Sequence, residues 1–178
     1  MSQTKSLSAT IDRTHREWLR DCYREAVKSP DRSTQIGVTI FDAFQEQIST
    51  GFNGFTKGFV PTEADHERPR KYQVIEHAER RAIYSAADQG YSTRGGTMVA
   101  TWAACSDCAR AIVECGLSRL IRHYPILDEA TERWLGSITV GDQILKAGGV
   151  EIIDIVGRIP GAPAVVRDGK AYFPDGMF

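Results

Sequence analysis

No run in the 178-residue sequence approaches the ~18 consecutive apolar residues of a membrane-spanning helix, so there is no candidate span. Charge of one sign is also lacking. The formal net charge is -1, which supplies no global basic field for long nucleic acid. Arginines do gather at Arg13, Arg16, Arg20 and Arg24, and basic residues at Arg68, Arg70 and Lys71, but such runs are most often solvated faces. Cysteine is scarce: Cys22, Cys105, Cys108 and Cys115, with no secretory leader ahead of them, do not make a disulfide framework and point to the cytoplasm. There is no internal repeat. With 42% hydrophobic and 25% charged residues the chain can bury one good core, so a single domain over 1–178 is expected, its core at about 11–156 and an irregular C-terminal tail over 157–178.

What is present is an alternation of strand and helix patterns. Ile11, Trp18, Leu19, Cys22, Tyr23, Ala26 and Val27 recur at helical spacing, predicting a first helix over 11–28 that follows a frayed polar start. The run 36–41 is rich in β-branched residues and reads as a strand, with a second strand near 47–52 making a hairpin. Residues 56–72 carry Pro61, Pro69 and many charges without periodicity, and a loop of that length inside a compact domain is usually functional or mobile. From Val74 the apolar period predicts a helix with His77 and Glu79 near its first turn. Strands are predicted over 97–102, 117–123 and 150–156, and a helix over 129–147 stopped by Gly148-Gly149. The alternation argues an α/β fold, a three-layer α/β/α arrangement with a mixed five-stranded central sheet.

Two short stretches carry chemistry. Cys105-Ser106-Asp107-Cys108 places two thiolates so that both reach one zinc ion from the first turn of a helix, and His77 supplies an imidazole from elsewhere. Three protein ligands leave a tetrahedral corner open, the arrangement of a catalytic zinc rather than a structural one. Glu79, two residues beyond His77, is placed to face that corner and shuttle protons. A C-x-x-C alone also fits a redox pair or two buried thiols, and an H-x-E alone fits a solvated helix face. In this order they match the signature of zinc-dependent base deaminases.

Further stretches carry a resemblance to the deoxycytidylate deaminase family, over roughly Trp18 to Val156. The turn Ser29-Pro30-Asp31 leading into the first strand is similar to the family's Ser-Lys-Asp, and Gly51-Phe52-Asn53-Gly54 to its G-Y-N-G. Arg68-Pro69-Arg70-Lys71-Tyr72 before His77-Ala78-Glu79 resembles its lysine-tyrosine lead, and Tyr124 with Asp128-Glu129-Ala130-Thr131 its tyrosine and acidic helix start. The resemblance implies a cytidine deaminase-like fold and hydrolytic deamination of dCMP to dUMP. One Zn2+ per chain would be held by His77, Cys105 and Cys108, Glu79 would be the catalytic acid-base, and Asn53, Ser29, Tyr124 and Ala78 would be substrate contacts. It also implies a homo-oligomer, a hexamer first, with dCTP and dTTP as effectors and Mg2+ accompanying a regulatory nucleotide.

The chain departs from that pattern in three places. Ala104 stands where the family has proline before the first zinc cysteine, which removes a ring that fixes the turn. Ala103 replaces a bulky residue, giving room that Trp102 fills or that admits a base substituted at C5. Pro30 replaces a lysine and removes a phosphate cation, for which Arg32, Arg122 and Lys57 are the replacements in the sequence. Alternatives within the same chemistry are a free cytidine nucleoside and an adenosine in transfer RNA as substrates. Outside it stands a non-catalytic, zinc-stabilised nucleotide sensor.

Overall fold

A computed structural model describes residues 2–176 except 125 and 127, with side chains from residue 12 onward. Helix α1 (Ser2–Ala26) runs into a hairpin of β1 (Gly37–Phe41) and β2 (Gln47–Phe52). Next come β3 (Gly54–Phe55), a 3-10 turn at Glu63–His66, the single helical turn α2 (Lys71–Val74), β4 (Ile75–Glu76) and α3 (Ala78–Asp88). The remainder is β5 (Thr97–Ala100), α4 (Ser106–Glu114), β6 (Arg119–His123), α5 (Glu129–Ala147), β7 (Glu151–Ile155), β8 (Val165–Arg167) and β9 (Lys170–Tyr172).

The central sheet has the order β2-β1-β5-β6-β7. β1 is antiparallel to both its neighbours, while β5, β6 and β7 are parallel. Each parallel step needs a crossover, and α4 and α5 supply them. These helices and α3 pack on one face through Ala82, Ala86, Ala109, Ile112, Ile138 and Leu145. On the other face Leu19, Cys22, Tyr23 and Ala26 of α1, spaced three and four apart, meet Phe41, Val99, Ile121 and Ile155. All five residues of β1 are buried because helices cover both sides of it.

Two glycines set the distance between layers. A Cβ on Gly37 would lie 2.0 Å from the Cys22 carbonyl oxygen of α1, and one on Gly51 would lie 2.5 Å from the Ala78 carbonyl oxygen of α3. Gly51 therefore serves close packing of a helix on the strand rather than a turn or a ligand.

Three expectations change, the first being that the helix expected from Val74 begins only at Ala78, with Val74 ending α2 and Ile75 paired in β4. The first helix begins at Ser2, because the polar start contains neither glycine nor proline to stop it. The segment after residue 156 is not irregular throughout: β8 and β9 form a hairpin closed by Asp168 (φ 48) and Gly169 (φ 74). Two consecutive positive φ values are those of a type I′ turn, which suits Asp-Gly. The hairpin packs on its own chain. Gln35 N donates to the Val166 carbonyl at 2.8 Å, and Gly169 N donates to the Ser33 carbonyl at 2.8 Å.

Candidate active site

His77 and Cys105 are the N-cap residues of α3 and α4, both in extended conformation. Such residues keep an extended backbone immediately ahead of the helix, so their side chains project beside the first turn. The β3–β4 pair fixes the approach to His77, and β5 delivers the approach to Cys105. The two helix starts converge. His77 Nδ1 lies 3.5 Å from Cys105 Sγ and 3.4 Å from Cys108 Sγ. A tetrahedral zinc with bonds of about 2.3 Å to sulfur and about 2.0 Å to nitrogen sets those separations near 3.5 Å, so the donor set fits that ion. Among the described residues these three form the group able to hold a metal, their ligand atoms all within 4.8 Å of one another. All four cysteines are free, which removes the disulfide reading.

Electrostatics within the group favour a cation. A hydrogen bond from Cys108 brings Cys105 down to about 4 against the cost of burial, with His77 assisting. The same bond, with burial, pushes Cys108 up. A divalent ion takes the place of the shared proton and lets both sulfurs be thiolates. Burial opposes charging of His77, but the Cys105 thiolate and Glu79 carboxylate outweigh it and raise its pKa. Glu79 is buried in the first turn of α3, and burial raises its pKa although His77 opposes the shift. The three ligand atoms engage one another without it, leaving a buried carboxyl beside them, poised to hold or give up a proton.

The turn into α4 is secured without proline. Ser106 N donates to Ser137 Oγ of α5 at 3.1 Å, and a Cβ on Gly141 would lie 2.7 Å from the Ala104 carbonyl oxygen. Helix α5 thus holds by contact what a ring would hold by covalent constraint.

A cavity of about 720 Å³, counting its open mouth, rises over the cluster. Ala78, Trp102, Ala103, Trp134 and Ile138 form its apolar wall, and Asp31, Asn53, Arg68 and Lys71 its polar one. Trp134 meets His77 edge to face at 6.0 Å and Tyr72 at 5.9 Å. Asn53 reaches the cavity with its amide already engaged: Oδ1 accepts from Ile36 N at 2.7 Å, and Nδ2 donates to Thr34 O at 2.8 Å and Asp31 Oδ2 at 3.2 Å. Ser29 lies behind it, donating to the Asn53 carbonyl at 2.6 Å, and is not on the lining. Tyr124 is also off the lining, its ring 4.5 Å from the Arg122 guanidinium.

None of the three cations proposed from sequence lines the cavity. Arg122 is buried between Asp142 and Asp154, Arg32 pairs with Glu63 at 2.7 Å, and Lys57 is exposed in a turn. Lys71 and Arg68 line it instead, together with Trp134. Lys71 had a signal in the lysine-tyrosine lead. Arg68 opened the same stretch but carried no assigned role, and Trp134 had no signal, because only the folded chain brings them to one opening.

A family profile, the cytidine and deoxycytidylate deaminase zinc-binding region, matches residues 12–123. The chain belongs to this family. Among its deaminase relatives, an uncharacterized deaminase from the luxG 3′ region of Aliivibrio fischeri is 32% identical over 128 residues, covering 70% of this chain and 81% of that one. Deoxycytidylate deaminase of Enterobacteria phage T2 is 35% identical over 79 residues, 44% of this chain and only 38% of the phage protein. In fold, the chain is similar to the dCMP deaminase of cyanophage S-TIM5, with TM-score 0.62 at 18% identity, covering 80% of this chain and 97% of that one. Zinc-dependent deamination is the family's chemistry, and the His77, Cys105 and Cys108 cluster lies within the matched region.

Proposed function

We propose that the chain hydrolyses dCMP to dUMP and ammonia. The observation that carries this reading is the buried, unliganded carboxyl of Glu79 beside a three-donor metal cluster at the floor of a cavity. His77, Cys105 and Cys108 would hold a zinc ion, which would supply Lewis acidity able to bring the pKa of a water from about 16 toward about 7. Glu79 takes the proton that this water loses as its oxygen attacks C4, and passes it to N3 of the ring. It then takes the proton of the new C4 hydroxyl and delivers it to the amino group as the C4–N4 bond breaks, so that ammonia leaves and a carbonyl remains. A raised Glu79 pKa suits both directions of transfer. Trp102 and Trp134 supply apolar walls for a flat base beside Glu79.

A purely structural zinc has no use for an open corner with a carboxyl beside it, which separates this reading from a nucleotide sensor. The resemblance also supports a hexamer with dCTP and dTTP as effectors and Mg2+ beside a bound triphosphate. Sedimentation with each nucleotide tests that extension. The reaction itself is tested by ammonia release from dCMP, dCTP, deoxycytidine and a transfer-RNA hairpin in parallel. Fastest turnover of dCMP is expected; release from the hairpin alone would discard the reading.

A further inference from the structure

Two cations line the cavity, and they are not equivalent. Lys71 is buried, with Nζ 2.9 Å from each oxygen of Asp31 and a further bond to Ser33 Oγ. Its charge is cancelled and its three donors are used. Arg68 sits on the rim with its side chain 41% exposed, and its bond to Asp168 Oδ1, at 3.2 Å, engages one Nη2–H. That same oxygen accepts from Arg133 Nη2. Two guanidiniums on one carboxylate leave one positive charge in surplus, and the fork of Arg68 retains donors for a second anion.

Asp168 is well fixed for this task. It occupies the first central position of the type I′ turn, and its backbone N–H donates to Thr34 Oγ1 at 3.3 Å. The hairpin thus ties the carboxylate to the same Ser33–Thr34 wall that lines the cavity. Arg133 reaches Asp168 from α5, the helix that also carries Trp134 of the apolar wall.

We infer that Arg68, steadied by Asp168 and backed by Arg133, receives the anionic end of a nucleoside 5′-phosphomonoester at the mouth of the cavity. This rests on the nucleotide reading of the site. Planar guanidinium donors match the oxygens of a phosphate, and a rim position lets the anion keep part of its hydration while the base enters the apolar interior.

The test is titration of the zinc-loaded protein with dUMP and with deoxyuridine, followed by tryptophan fluorescence, to which Trp102 and Trp134 of the cavity contribute beside Trp18. Wild type is expected to bind dUMP more tightly. Arg68→Gln is expected to weaken dUMP binding about ten-fold or more, with deoxyuridine affinity and zinc content unchanged. Arg133→Gln, which cancels the surplus but leaves Arg68 in place, is expected to weaken it about two- to five-fold. Equal dUMP affinity in wild type and Arg68→Gln overturns the inference, as does a wild type that does not distinguish dUMP from deoxyuridine. Ammonia release from dCMP is scored separately. A wild type that binds dUMP through Arg68 yet releases no ammonia sinks the proposed reaction and keeps the anion site. Full deamination of dCMP at unaltered KM by Arg68→Gln sinks the anion site alone.

Discussion

Lys71 and Asp31, forty positions apart, form a buried ion pair whose Nζ is 2.9 Å from both carboxylate oxygens, each side chain 6% exposed. Asp31 also accepts from the backbone N–H groups of Ser33 and Thr34 and from Asn53 Nδ2. One carboxylate thereby organises the polar wall apart from Arg68, which Asp168 holds. Lys71→Met leaves that charge buried without its cation, and a loss of about 3–5 kcal/mol is expected in urea unfolding. A change below about 1 kcal/mol would mean that the wall holds itself.

Glu79→Gln keeps the size of the side chain but removes its ability to carry a proton. Turnover is expected to fall about 10²- to 10⁴-fold with zinc content and unfolding midpoint preserved. Normal activity in this variant would remove Glu79 from the reaction.

Cys108→Ala removes one of three donors from a cluster closed within 4.8 Å. Zinc, expected at one per chain in the wild type, is expected to be lost from the purified variant when measured by elemental analysis. Retention of stoichiometric metal would mean that a different ligand set holds it.

Gly51→Ala tests the contact between β2 and α3. The new methyl meets Ala78 O at 2.5 Å and Ala82 N at 2.7 Å, and both are backbone atoms that cannot turn aside. The start of α3 must shift, carrying His77 and Glu79 with it. A loss of about 1–3 kcal/mol is expected, together with weaker zinc retention against a chelator.

His123 gives the fold a pH dependence. Its Nδ1 is 2.6 Å from Tyr23 Oη and its Nε2 is 2.7 Å from the Gly157 carbonyl. The carbonyl can only accept, so Nε2 carries the proton and the neutral ring takes the Tyr23 hydroxyl at Nδ1. Burial lowers its pKa to about 4, although the Gly157 bond opposes the shift. A folded value below the unfolded one of about 6.5 means that this contribution is present in full above pH 6.5 and is lost as pH falls toward about 4. Unfolding free energy is expected to drop by up to about 1.4 kcal/mol per pH unit in that window, and His123→Gln is expected to flatten the slope between pH 6.5 and 5. Equal slopes would place the acid sensitivity elsewhere.

Local chemistry made much of this architecture legible before folding. The bounds of β2 and α5 follow from their own periodicity and stops, and the spacing of His77, Glu79, Cys105 and Cys108 carries its ligand logic in the letters. Other features depend on contacts across the chain. The strands of the β8–β9 hairpin are three residues each, too short to show alternation. Lys71 reads as one more member of a basic run until Asp31 is brought beside it. Ser29 and Tyr124 sit in stretches that resemble the family's, yet a match in order does not say which side of a wall a side chain occupies.

The matched family region ends at His123, and α5 and the β8–β9 hairpin lie beyond it. The metal grip is written wholly inside that region. Trp134, Ile138 and the Asp168 that steadies Arg68 are written outside it. A graft of residues 12–123 into a relative would transplant the reactive floor while leaving behind part of the entrance. It would also leave behind Ser137 and Gly141 of α5, which brace the turn into α4, so entrance and floor share one support.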